Sequence, residues 1–164
     1  MTAQRVGLVV AVLVVVATYA VLAVRWTGAD PGWYASLPRP RWQPPDLVFG
    51  VVWPLSFGAL AVVGGVVALQ GAPGDGVRWV VLLAASVALA LGWAHEFYVP
   101  HRLGRAAVLL AGAALLTWLL VALTAAIVPW AAWLLVPYAS WLSVATGLAV
   151  GYWRLSTRPA VTAS

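Results

Sequence analysis

The stretch Trp33-Tyr-Ala-Ser-Leu-Pro-Arg-Pro-Arg-Trp-Gln-Pro-Pro-Asp-Leu-Val-Phe-Gly-Val-Val-Trp-Pro-Leu-Ser-Phe57 runs from a proline-rich basic loop straight into an apolar, aromatic segment. Pro38, Pro40, Pro44 and Pro45 lack backbone donors and push the residues before them towards extended conformations, so the loop is expected to be non-helical. A helix can start only at Pro44-Pro45. Proline is tolerated in a first turn, and Asp46 puts negative charge where the helix dipole favours it. A stiff loop is thereby placed at one mouth of a helix that carries Phe49, Trp53 and Phe57.

Outward from this stretch the chain is apolar almost throughout. Of its 164 residues 64% are hydrophobic and 8% charged, a balance outside the range of soluble domains. Five stretches, at about residues 6–24, 47–69, 79–94, 106–128 and 131–153, are long and apolar enough to cross a hydrocarbon core. The expected fold is an all-α integral membrane protein, a five-helix bundle forming a single domain over residues 1–164. The first stretch is too long for the apolar region of a cleaved signal peptide and reads as a retained helix. Turn clusters at Gly71–Gly76 and Pro100–Gly104, and Pro129, separate the later spans, so successive helices are antiparallel.

Basic residues give the orientation. With five spans, Arg25, Arg39, Arg41, Arg102, Arg105, Arg154 and Arg158 fall on one side and Arg5 and Arg78 on the other, which places the first loop and the C-terminus in the cytoplasm. The abundance of Ala, Val and Gly and the short N-terminus point to a bacterial inner membrane. No basic face exists apart from these flanking positions, so nucleic acid is not an expected partner.

Missing residue types narrow the chemistry. The chain has no cysteine, which removes disulfides, thiolate metal sites and cysteine nucleophiles. Asp30, Asp46, Asp75 and Glu96 all lie at or beyond span ends, whereas proton-coupled transporters need ionisable groups at membrane depth. His95, Glu96 and His101 do not follow the His-Glu-x-x-His spacing of a helical metal site, so the histidines read as interfacial or loop residues. Neither a resident cofactor nor a metal is called for.

Tryptophan is the positive signal, with 11 residues. An interfacial aromatic belt accounts for Trp26, Trp79, Trp130, Trp133 and Trp153. Trp53, Trp118 and Trp141 lie deeper within their spans. Phe49, Trp53, Phe57 and Leu60 share one face of the second span, and Tyr138, Trp141, Ala145, Leu148 and Tyr152 share one face of the fifth. Two such faces suit either bulk packing or a pocket for a flat, rigid polycycle such as a porphyrin or a sterol. Arg39 and Arg41 above it are either positive-inside residues or partners for propionate groups.

Three groups of residues resemble the TspO/MBR family, the tryptophan-rich sensory proteins that include the mitochondrial translocator protein. Trp33-Tyr34, Leu37, Pro40, Trp42, Pro44-Pro45, Val48-Phe49 and Val52-Trp53-Pro54 are similar to its first loop and second helix. Trp93, Phe97-Tyr98 and Ala106 are similar to the end of its third helix and start of its fourth. Leu134-Leu135, Pro137-Tyr138, Trp141, Ala145, Leu148 and Trp153-Arg154-Leu155 are similar to its fifth-helix signature.

This resemblance implies a homodimeric five-helix bundle with a cavity open towards the first loop, binding porphyrin or another tetrapyrrole, or a sterol or lipid, in a sensory, scavenging or transport role. Tyr34, Phe49, Trp53, Phe57, Ala90, Trp93, Phe97, Tyr138, Trp141 and Ala145 are the implied ligand-binding positions. In members reported to break down porphyrin in light, the paired tryptophans match Trp53 and Trp141, which would then be catalytic. The chain departs from the family at Ala90 and Ala149, where asparagines are usual, at Ser156, where a further asparagine is usual, at Glu96, where leucine is usual, and at Phe57, where tyrosine is usual; its pocket is expected to be less polar. Val150–Arg154 fits a loose cholesterol-binding pattern. Ala84, Ala88 and Gly92 form a small-residue ridge on the third span, beside a second ridge of Ser86, Ala90 and Ala94, and the first is the expected dimer interface.

Overall fold

The computed structural model describes residues 2–157, all of whose long elements are helices. Helix α1 spans Ala3–Thr27, α2 Pro31–Ser36, α3 Asp46–Gln70, α4 Pro73–Tyr98, α5 Leu103–Ile127 and α6 Pro129–Ser156. Five are long and apolar enough to cross a membrane, and α2 is a sixth, short helix. It lies in part of the loop expected to be non-helical. Asp30 is the reason: its side-chain oxygen accepts the Trp33 amide at 2.9 Å, and Pro31 occupies the first turn, where it lacks nothing a helix needs. From Leu37 to Pro45 the prolines do prevent helix formation, and α3 starts at Asp46 with Pro45 as its cap.

Helix α4 begins six residues before the expected third span. Pro73 stands in its first turn and Asp75 lies at the positive end of its dipole. The turn cluster at Gly71–Gly76 is thus mostly helix. Its early start carries Trp79 inwards, fully buried, with its indole N–H donating to Thr124 Oγ1 at 2.8 Å. Trp79 is a core residue and not part of an interfacial belt. Trp130 and Trp133 do face outwards.

The long helices close in the order α1, α3, α6, α5, α4 and back to α1, with α3 also touching α4 across the bundle. Helix α1 buries a single stripe, Leu8, Val12, Val16 and Tyr19, at spacings of four, four and three. At the end of the bundle remote from the first loop, α1, α3 and α4 meet around Gly64. A Cβ there would stand 2.5 Å from Val12 Cγ1 and 2.7 Å from Trp79 Cζ3, so only glycine allows this approach. Polar side chains tie the other seams. Ser86 of α4 lies 2.8 Å from the Thr117 hydroxyl of α5 and donates to the Ala113 carbonyl at 3.1 Å. In an apolar solvent such bonds are the main directional link between helices.

Of the two small-residue ridges on α4, Ser86, Ala90 and Ala94 are buried within the subunit, whereas Ala88 is exposed between half-buried Ala84 and Gly92. Arg25, Arg39, Arg41, Arg102, Arg105 and Arg154 gather at the loop end and Arg5 and Arg78 at the other. Arg158 lies outside the described residues.

Gly64→Leu is expected to lower stability by about 1–3 kcal/mol or more by overpacking the meeting point. Gly65→Leu, one residue along, meets open space and is expected to be neutral or mildly stabilising. Thermal unfolding of the two variants in detergent, followed by tryptophan fluorescence, checks the contrast.

Candidate functional site: an aromatic cavity under the first loop

Between Gly64 and the loop end the helices enclose a cavity of about 470 Å³, walled by α1, α3, α4 and α6, with Tyr34 of α2 above and no side chain from α5. That is within the roughly 300–1,000 Å³ of small-molecule sites. Phe49, Trp53 and Phe57 project from one face of α3, since residues four apart are stacked along a helix. Trp93 and Phe97 face them from α4, and Trp141, Ala145 and Tyr152 from α6.

The rings are arranged as a flat wall with edges closing it. Trp53 lies nearly parallel to Trp93, at 6.3 Å and 18°, and to Phe57, at 5.9 Å and 29°. Phe49 meets Trp141 edge-on at 5.1 Å, and Tyr19 meets Phe57 in the same way at 5.1 Å. Ala90 and Ala149 supply smooth, buried wall where an amide would have offered a hydrogen bond. Two indole N–H groups, those of Trp93 and Trp141, are buried and have no hydrogen-bond partner among the described residues. A buried donor left unpaired costs about 1–3 kcal/mol, and neither nitrogen presents surface to the cavity.

The first loop forms a roof. Gln43 Nε2 donates to the Tyr34 hydroxyl at 3.4 Å, and the Tyr152 hydroxyl donates to Gln43 Oε1 and lies 3.4 Å from the Tyr34 hydroxyl. Arg39 stands over the Tyr34 ring at 5.8 Å and lies 4.0 Å from Asp46. Glycines on α6 let the loop settle closely: a Cβ on Gly151 would come within 3.0 Å of Pro40, and one on Gly147 within 3.1 Å of the Trp42 ring. On the opposite side Trp33 stacks on His101 at 3.7 Å and 15° and meets Phe97 edge-on. The first loop therefore lies over part of the cavity, while Thr27 and Asp46 at its loop-end rim are exposed.

Of the residues singled out in the sequence, Tyr34, Phe49, Trp53, Phe57, Ala90, Trp93, Phe97, Trp141 and Ala145 line this cavity. Tyr138 does not. It lies one turn deeper on α6, fully inside the bundle, and donates to the hydroxyl of Tyr19 at 3.3 Å, so that it supports the floor. Trp118 is 40% exposed and turns outwards to donate to Ser143, so its depth in the span reflects no pocket. Tyr152, within the loose cholesterol pattern, is buried and held by the roof, away from a lipid-facing surface. His101 packs on Trp33 and lies 3.7 Å from Asp30, and the carboxylate of Glu96 lies 3.8 Å from both Arg102 and Arg105. No group of three potential metal ligands occurs among the described residues.

Sequence reasoning missed the contribution of α1, Tyr19 and Ala23, and the roof role of Gln43. Tyr19 carried a usable signal, since it is the one phenol in an otherwise aliphatic span and a phenol in lipid needs a partner. Gln43, in a loop, carried none.

A model of the TspO/MBR family matches residues 6–154. No curated protein matches the sequence.

Tyr152→Phe removes both hydroxyl bonds to the roof and leaves the ring in place. The Gln43 amide, bonded to the Pro40 carbonyl at 3.1 Å, is expected to exchange with deuterium roughly three- to tenfold faster, the equivalent of one hydrogen bond of about 1 kcal/mol. Unchanged exchange across residues 39–43 would show that Tyr152 does not hold the loop.

Proposed function

The chain belongs to the TspO/MBR family of membrane proteins, and from this premise we propose that the cavity is a binding site for a tetrapyrrole, serving a sensory, scavenging or transport role. The observation that carries the reading is the near-parallel pair Trp53 and Trp93 with Trp141 on the facing helix, in a cavity whose ionisable side chains, Asp46 and the tyrosines, lie at its rim or edges. A broad planar ring gains offset stacking on such walls, about 0.5–1.5 kcal/mol per aromatic pair beyond burial. Ala90 and Ala149 offer no polar anchor, so stacking and shape favour a flat polycycle over a ligand defined by hydrogen bonds. Arg39, beside the roof, suits a ligand with carboxylates at its edge. Sterol or lipid is the alternative occupant.

The asymmetric arginines support a cytoplasmic first loop in a bacterial inner membrane. A homodimer through Ala84, Ala88 and Gly92 on α4 is supported by the exposure of Ala88. Small residues permit close helix approach in lipid.

Quenching of tryptophan fluorescence by protoporphyrin IX in detergent tests the site. The wild type is expected to show saturable quenching, and Trp53→Phe/Trp141→Phe to weaken it by roughly tenfold. Trp133→Phe, at a residue 75% exposed on the outer surface, is expected to leave it unchanged. Equal, unsaturable quenching in all three would mean that the porphyrin merely dissolves in the micelle. Illumination of the same samples separates binder from enzyme: loss of porphyrin absorbance in the wild type that the double variant lacks would assign photo-oxidative breakdown to Trp53 and Trp141. Ala88→Leu is expected to convert a dimer to monomer in detergent by light scattering, with the helical signal retained; a surviving dimer would move the interface elsewhere.

A further inference from the structure

The cavity has a second boundary besides its roof, and that boundary is open. Its exposed lining residues are Val24 and Thr27 at the end of α1 and Asp46, Gly50 and Pro54 at the start of α3. Every lining residue from α4 and α6 is buried or half-buried.

The cause lies in how α1 and α3 cross. They are antiparallel, and they touch at Val12 and Gly64, where a Cβ would clash at 2.5 Å. About two to three turns nearer the loop, Tyr19 bridges the gap with edge-to-face contacts to Phe57 and Trp53, at 5.1 and 6.0 Å. Beyond that no ring fills the seam. Trp26 is turned aside onto His95 of α4, at 5.4 Å, and a Cβ on Gly50 would find no atom within 4 Å. Val24 is 72% exposed although it lines the cavity.

Depth decides what this opening faces. Gly50 and Pro54 lie four and eight residues into α3, roughly 6 and 12 Å along it. A helix of 25 residues measures roughly 37 Å against a hydrocarbon core of about 30 Å, so only about 4 Å projects at each end. The slot therefore starts at a polar rim, Thr27 and Asp46, and extends down into hydrocarbon. Leu47, Val51 and Leu55 beside it are all exposed and apolar, as a lipid-facing edge requires.

We propose that the α1–α3 seam is the ligand portal and that the cavity is loaded sideways from the bilayer, taking rigid amphiphiles dissolved in the loop-side leaflet and not solutes arriving from water through the loop. This rests on the binding reading above and adds the route and the physical state of the ligand. A side entrance explains why the roof is fastened on two sides, by Tyr152 and Gln43 to α6 and by Trp33 to His101, while the seam carries no fastening. The ligand's apolar body slides past Gly50 while its polar edge stays level with Thr27 and Asp46.

The chain has no cysteine, so Gly50→Cys places a single thiol in the slot. The protein in phosphatidylcholine vesicles is treated with a methyl-sized thiol reagent or a pyrene-sized maleimide, and vesicles preloaded with protoporphyrin IX are mixed in. Quenching of tryptophan is followed by stopped flow, and release into empty vesicles is followed separately. The bulky adduct is expected to slow loading and release together by about tenfold or more, as a barrier raised by at least 1.4 kcal/mol on a shared path. The dissociation constant is expected to change less than about twofold, since a blocked route alters both rates equally. The methyl adduct, and a bulky adduct on Leu119→Cys of the outer α5 surface, are expected to do nothing. Val24→Cys, on the facing helix, repeats the result if Gly50→Cys fails to fold. Unaltered rates with the bulky adduct, in protein that still binds saturably, would overturn the portal and leave the binding site standing. Slowed loading with a weakened dissociation constant and faster release would also overturn it, placing the adduct inside the site. Absence of saturable quenching in unmodified protein would overturn the binding reading, and the portal with it.

Discussion

The close contact at Gly64 is the constraint on which the remaining architecture depends. Lipid tails are as apolar as leucine, so no hydrophobic force drives transmembrane helices together, and association relies on backbone proximity, packing and a few polar bonds. Val12, Gly64 and Trp79 supply that proximity where α1, α3 and α4 converge, and the Trp79 to Thr124 bond carries the junction on to α5. Nearer the loop the same three helices are spaced apart by the rings of Tyr19, Trp53, Phe57 and Trp93. The cavity is this separation, and the aromatic residues of α3, α4 and α6 reach into it without filling it.

The bundle is tightest where it is least involved in the cavity. Helix α5 packs along both α4 and α6 and contributes nothing to the lining. It carries Thr117 and Thr124, two of the four buried serine and threonine side chains among the described residues. These hydroxyls also bond to carbonyls of their own helix, at 2.8 Å for Thr117 to Ala113 and 2.7 Å for Thr124 to Leu120. Each threonine hydroxyl thereby keeps an acceptor if its interhelical partner moves, which suits it to a solvent that offers none. The unpaired indoles of Trp93 and Trp141, whose rings stand in the cavity wall, are exceptions to this pattern.

What could be read in the sequence follows from the same physics. Five apolar stretches and their proline and glycine boundaries were legible because length and breakers act locally. The facing of each helix was not, because a span that is apolar all round has no polar side to turn away from the core. Aromatic depth was a partial guide: it selected Trp53 and Trp141, which line the cavity, and Trp118, which faces outwards. Trp79 stands at the start of its apolar stretch and so reads as part of an interfacial belt, whereas Pro73 is well suited to a first turn and starts the helix six residues earlier. Helix α2 escaped notice for the converse reason, as four prolines downstream masked the Asp30-Pro31 start. Tyr138 shared a face with Trp141 by spacing, yet one turn of depth separates floor from wall. No local signal encodes that difference, since it depends on where α1 places Tyr19.

Ala90 and Ala149 make their part of the wall apolar, and this limits how the cavity can discriminate. Hydrogen-bonding sites reject a wrong ligand strongly, because an unmatched buried group is left unsatisfied, while apolar sites discriminate by only about 1–3 kcal/mol per methylene. Here most of the wall is of the second kind. Selectivity must come instead from ring shape against the Trp53 and Trp93 wall, and from the few polar groups that remain, the Tyr34, Gln43, Tyr152 and Arg39 cluster overhead. Those overhead groups are engaged with one another. A ligand that reaches for them must compete with bonds that hold the roof, so polar recognition and loop closure are set against each other. Binding that leaves the roof intact relies on stacking and shape alone, which favours ligands that are broad, flat and polar only at their edges.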